Sequence, residues 1–203
     1  MTAFEHALFG ATATLAAGLH RRYGWPIAAM AGVAAVAPDW DGLALLFGPM
    51  AYDRVHRAWG HNVFAACLVG AAIGAAEYRW RVSVRVRQWL AARVRMPDWP
   101  DVKDRSRGDV AVWMTVGALA ALSHLAADLV VSGADTLGDW SLKLLWPFSE
   151  QAWVYPLIRW GDPGLSVILF GGVFAMLRWP DRLQTVAWIT LVLLAAYLSK
   201  GFW

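Results

Sequence analysis

Apolar residues in this chain come in long blocks, and polar residues come in short bursts between them. Six blocks can be drawn, over about 3–19, 25–37, 62–78, 110–131, 165–177 and 183–198, the second continuing past an acidic break to residue 47. Segments of this kind predict helices in a bilayer. A perpendicular span needs roughly 20 apolar residues, and a helix satisfies its own backbone groups where no water can. Several blocks fall short of that length and are expected to be half-buried, or to sit where the bilayer thins. They are rich in Ala, Gly and Leu, and small residues let helices approach closely in lipid. The predicted fold is all-α: a polytopic membrane helical bundle of about six apolar helices, one domain over 1–203, without internal repeats.

Composition strengthens this reading. Hydrophobic residues make up 59% of the 203 and charged residues 16%, against about 25% charged in a soluble domain. Many of the 14 tryptophans flank apolar blocks, among them Trp25, Trp80, Trp113, Trp160, Trp179 and Trp203. That is where an apolar ring with one polar N–H prefers to sit. Cys67 is the only cysteine, which excludes an internal disulfide, and its apolar neighbours make it a small core residue. Residues 1–10 carry Glu5 and no Lys or Arg, so no signal-peptide n-region is expected.

The net charge of +3 does not point to nucleic acid, because the basic residues are confined to connections between blocks. The connection over 79–109 holds nine Lys and Arg and should be cytoplasmic. Alternating the blocks then puts Arg21, Arg22, Arg178 and Arg182 on the same side. Only Arg54, Arg57, Lys143, Arg159 and Lys200 remain outside. Within that connection, 82–95 interleaves Arg with Val and Leu. It reads equally as an amphipathic helix on the anionic leaflet or as a solvated loop.

The same topology collects His and Asp at the extracytoplasmic face. His6 starts the first block there, Pro38-Asp39-Trp40-Asp41 ends the second, His56 and His61 precede the third, and His124 and Asp128 end the fourth. Ionisable residues within apolar segments are costly and are functional candidates by default. His124 and Asp128, four apart, share one helix face. Pro38 disfavours helix at Ala37, so the second block is expected to end there. In an extended piece Asp39 and Asp41 would point the same way, and two such carboxylates repel unless a cation lies between them. His56 and His61, five apart, do not share a helix face, and Gly60 is expected to re-aim them. His20 beside Arg21 and Arg22 reads as loop. Asp135 and Asp139 read as solvated. Seven side chains (His6, Asp39, Asp41, His56, His61, His124 and Asp128) are too many for one tetrahedral zinc. They suit two divalent transition-metal ions with a bridging carboxylate. Imidazole plus carboxylate fits zinc first, with manganese or iron as alternatives.

The ordered set of His6, Pro38-Asp39-Trp40-Asp41, His56-Arg57-x-x-x-His61, His124-x-x-x-Asp128 and Leu145-Trp146-Pro147-Phe148 resembles the YdjM-like family of inner-membrane metal-dependent hydrolases. The resemblance covers about 1–148. Where the family often shows Thr-His-Ser, this chain has Gly60-His61-Asn62. The resemblance implies metal ligation at the seven residues and a phospholipase-like activity. The His-x-x-x-Asp pair is also similar to one in the zinc-dependent phospholipase C superfamily. The expected function is hydrolysis of a membrane lipid, at a phosphoester bond, in the inner membrane. Asp39 or Asp41 would act as general base or bridging ligand. Arg57, and less directly Arg54, would stabilise phosphate charge. Trp40, Trp59 and Trp146 would line the acyl side. A lipid amidase or esterase could use the same site, and its product would be a fatty acid. A metal carrier or sensor is the non-enzymatic alternative, and ligands strung along a path across the membrane would favour it. No nucleic-acid partner is expected.

Overall fold

In a computed structural model of the chain, residues 1–94, 109–133 and 138–202 are described. Among them the secondary structure is helical, with two isolated β-bridges and no strand. The α-helices are α1 Ala3–Ala16, α2 His20–Tyr23, α3 Trp25–Val36, α4 Pro49–Val55, α5 Val63–Trp80, α6 Val82–Ala91, α7 Asp109–Val130, α8 Pro163–Arg178 and α9 Leu183–Leu198. Four stretches are long and apolar enough to cross a membrane: Pro26–Phe47, Val63–Trp80, Asp109–Val130 and Pro180–Gly201. α8 is a shorter apolar helix. α1 spans 14 residues and carries a buried Glu5 in its first turn. The bundle is therefore all-helical with four candidate spans, where six apolar blocks were expected.

The break expected at Pro38 does not occur. Ala37 is helical, with φ −57° and ψ −34°, and the chain runs on as a 3-10 helix over Ala37–Phe47. A proline in the first turn of a helix gives up only an N–H that would have no intrahelical partner. α3 therefore tightens rather than stops. The chain does change direction at Arg81, whose left-handed φ of 51° separates α5 from α6. Of the two readings of the basic connection, the helix is the one found. Val82, Val86, Trp89 and Leu90 lie along one exposed face of α6, and Arg87 sits over the Trp25 ring. The rest of that connection, 95–108, and Asp135 lie outside the described residues.

Packing between α5 and α7 brings backbone against backbone. A Cβ on Gly70 would lie 2.3 Å from the Gly117 carbonyl oxygen, and one on Gly74 would lie 2.1 Å from that of Trp113. Gly70 and Gly74 are four residues apart, the spacing of a small-residue helix interface in lipid. α1 meets α3 in a similar way, with Gly10 against the Ala31 carbonyl. Ile27, Met30, Ala31, Ala34, Trp113 and Ala120 form the core between α3 and α7. This packing fixes the start of α1, the end of α3, the start of α5 and the end of α7 at one end of the bundle.

Candidate metal centre

All seven sequence-predicted side chains meet at that end. His61 and His124 are fully buried, and His6, Asp41 and Asp128 nearly so. Asp39 and His56 are partly exposed. Three groups bring ligand atoms close enough to share an ion: Asp39, His61 and His124; His6, His124 and Asp128; and Asp41, His56 and His61. His61 Nε2 and His124 Nε2 are 3.1 Å apart. Asp39 Oδ1 lies 3.4 Å from the first and 3.5 Å from the second. Asp128 Oδ2 lies 3.7 Å from each. Metal–nitrogen and metal–oxygen bonds of about 2.0–2.1 Å imply tetrahedron edges of about 3.3–3.4 Å. His61, His124 and Asp39 place three ligand atoms at about that spacing, with Asp128 Oδ2 just beyond it from both imidazoles, and these residues could hold a metal.

The surrounding contacts orient these donors. His124 Nδ1–H donates to the Ala35 carbonyl at 2.7 Å. A carbonyl can only accept, so this bond fixes the tautomer that leaves Nε2 free as a ligand. His61 Nδ1–H donates to Asp41 Oδ2 at 3.0 Å, the carboxylate–histidine pairing that supports metal ligands elsewhere. Asp41 Oδ2 also accepts the Gly60 N–H at 2.9 Å, and Oδ1 accepts His56 Nδ1–H at 2.9 Å. Both oxygens of Asp41 are thus engaged. His6 Nε2–H donates to Asp128 Oδ1 at 3.1 Å, and its ring stacks on His124 with centroids 3.6 Å apart. The Met1 amino group lies 2.6 Å from the same oxygen.

Local backbone explains this geometry. A 3-10 helix has three residues per turn, so Asp39 and Asp41 diverge instead of pointing the same way. They take opposite nitrogens of His61, and the imidazole separates the two carboxylates. Burial pulls the His61 imidazole pKa down, but hydrogen bonds to Asp39 and Asp41 outweigh it and push the pKa up to about 9. A metal would have to displace that proton. Gly60 does not re-aim the two histidines through a special φ. It is needed for close approach, because a Cβ there would lie 1.9 Å from the Pro38 carbonyl oxygen. The turn falls at Arg57, whose φ of 64° is left-handed, a conformation costing an L-residue roughly 1–2 kcal/mol.

Arg57 is held beside the centre. Its Nη2 donates to Asp128 Oδ2 at 3.1 Å and its Nη1 to the Trp140 carbonyl at 2.7 Å. The guanidinium lies over the Trp140 ring. With His56, Tyr52, Asp139, Trp140 and Ser141 it lines a polar pocket of about 430 Å³. Asp39, on the other side of the cluster, lines an apolar groove that also includes Trp40. Trp59 and Trp146 lie outside that groove and stack on each other, with centroids 6.1 Å apart.

The family described as YdjM inner membrane protein matches residues 1–203. The chain belongs to this family. The match extends past 148, where the recognisable motifs end, through both final helices. YdjM membership agrees with the four apolar helices in making this a membrane protein. No curated protein and no solved structure matches the chain.

Several partners in this YdjM site carry no signal in sequence. The Ala35 carbonyl and the Trp140 carbonyl are backbone groups. Tyr52, which stacks on His56 with centroids 4.3 Å apart, gives no motif. Glu5 is buried. It closes a capping box with Thr2 and accepts from Ser166 Oγ at 2.6 Å. The pattern Thr2-x-x-Glu5 is the sequence signature of such a box and could have identified it.

Proposed function

We propose that this protein is a metal-dependent hydrolase of membrane lipids, acting at a phosphoester bond on the extracytoplasmic side of the inner membrane. The observation that carries the reading is the group of His61, His124 and Asp39, with Asp128 beside it and Arg57 tied to Asp128 and lining a polar pocket. We read His61, His124, Asp39 and Asp128 as holding one divalent ion, zinc before manganese or iron. Two ions, the count suggested by seven donors, would instead take His6, His124 and Asp128 for one and Asp41, His56 and His61 for the other. A divalent cation held there would supply Lewis-acid polarisation of a phosphoryl or carbonyl oxygen.

The residues around it have distinct tasks. Asp41 orients His61 and His56. His56, on the wall of the polar pocket, is placed to accept a proton from water entering there. Arg57 balances the charge of Asp128 and presents its guanidinium to an anionic head. The phosphoester is favoured over an acyl bond because a fixed guanidinium matches phosphate. Released product separates the two, a phosphorylated head group or phosphate against a fatty acid.

The test uses full-length protein purified in detergent, with metal content and hydrolysis of mixed phospholipid vesicles measured on the same sample. One equivalent of metal and release of a phosphorylated product are expected in the wild type, with both lost in His61→Ala and Asp128→Ala. Variants that fold, lack metal and still cleave at the wild-type rate would overturn the mechanism. Two equivalents would restore the binuclear alternative.

A further inference from the structure

The apolar groove reaching Asp39 has a volume of about 890 Å³ and runs between α1, α3 and α5. That lies within the roughly 300–1,000 Å³ of small-molecule sites. Small residues on its floor (Ala7, Ala11, Ala28, Ala29 and Gly32) leave the space, and larger apolar side chains such as Leu8 and Leu43 flank it. Its α3 side, from Ala28 to Val36, is about 12 Å long at 1.5 Å per residue. Asp39 is the one charged residue on its lining among the described residues, and the same carboxylate belongs to the candidate metal group with His61 and His124. An aqueous metabolite would gain little from such walls, whereas a hydrocarbon chain entering sideways from the bilayer loses nothing by lying there. With the chain in the groove, its polar head would fall at Asp39 and the metal ligands.

We propose that this groove binds one hydrocarbon chain of the lipid whose head reaches the metal centre. The proposal rests on reading the centre as a lipid hydrolase, yet occupancy can be measured without turnover. Metal-loaded full-length protein is reconstituted in phosphatidylcholine–phosphatidylglycerol vesicles. They contain a phosphatidylglycerol with a photoactivatable group in one acyl chain. After irradiation, label is mapped by mass spectrometry. Groove peptides of α1 and α3 should carry about tenfold more label than the exposed face of α8 around Val167 and Phe174, the ratio that 1.4 kcal/mol of preferential binding gives. Ala29→Phe and Ala11→Phe fill the groove from α3 and α1, and each should abolish that excess. Val167→Phe should leave it intact. Even labelling of α1, α3 and α8, or an excess that survives both fillings, overturns the proposal. Groove labelling without hydrolysis of any vesicle lipid would keep this proposal and defeat the hydrolase reading. Hydrolysis with even labelling would do the reverse.

Discussion

Two helix pairs in this bundle are built from similar apolar sequence and pack differently. In α5 and α7, glycines face backbone, with Gly74 against the Trp113 carbonyl and Gly117 against that of Gly70. In α8 and α9, glycines face side chains, with Gly172 against Thr190 and Gly164 against Tyr197. A side chain can rotate away, but a helix backbone cannot move without moving the helix. The first pair frames the candidate centre, with His61 just before α5 and His124 and Asp128 at the end of α7. The second pair supplies none of the seven candidate ligands. Backbone-to-backbone packing is therefore found in the pair that carries the candidate ligands.

The largest expected effect tests that division directly. His124→Ala should abolish metal binding with the helices still formed. Leu194→Ala, in the buried cluster of α8 and α9, should cost about 2–5 kcal/mol of stability and leave metal content at the wild-type level. Metal per polypeptide by mass spectrometry, beside circular dichroism, distinguishes them. A folded Leu194→Ala protein without metal would show that the two pairs are not separate.

Next in size is the support behind a ligand. Asp41→Asn keeps the shape of the side chain but weakens its hold on His61 and His56. Loss of such a partner typically lowers metal affinity about 10–100-fold, measurable by competition with a chelator. An unchanged affinity would mean that Asp41 does not orient His61. Below that comes the packing itself. Gly74→Ala forces α5 away from α7 and should cost about 1–3 kcal/mol. Gly164→Ala meets the far end of the Tyr197 ring, which can swing aside, and should cost clearly less. Thermal unfolding in one detergent compares the two, and equal losses would remove the distinction drawn between the pairs.

How much of this was legible in sequence depends on the range of each signal. The apolar blocks of α5, α7 and α9 are long and uniform, so their helices could be read almost to their ends. The polar residues of the centre stood out because lipid makes each of them costly, and tracking basic residues along the chain was enough to bring them to one end. Their division of labour was not legible. It depends on the 3-10 geometry after Pro38, which a preference at the preceding residue argued against, and on Arg57 adopting a left-handed φ that no residue type announces. Gly60 does not act through a special φ. Its role is contact with the Pro38 carbonyl, a partner far away in sequence. Trp59 and Trp146 were grouped with Trp40 by residue type, while the structure pairs them with each other.

The smallest expected effect tests a polar link from the second pair toward the site. Ser166 on α8 donates to Glu5 at 2.6 Å. Glu5 Oε2 in turn accepts the Thr2 N–H at 2.7 Å, and His6 follows next in the chain. Ser166→Ala removes one acceptor contact of a buried carboxylate that keeps its capping-box partners. The loss should be about 0.5–1.5 kcal/mol, the net value of one hydrogen bond. Metal affinity should not change, because Glu5 and His6 are positioned by α1's own first turn and by Asp128. Unfolding and chelator competition on the same preparation give both numbers. A fall in affinity comparable to that of Asp41→Asn would mean that α8 sets the position of His6 through Glu5. The last two helices would then belong to the centre they stand apart from in sequence.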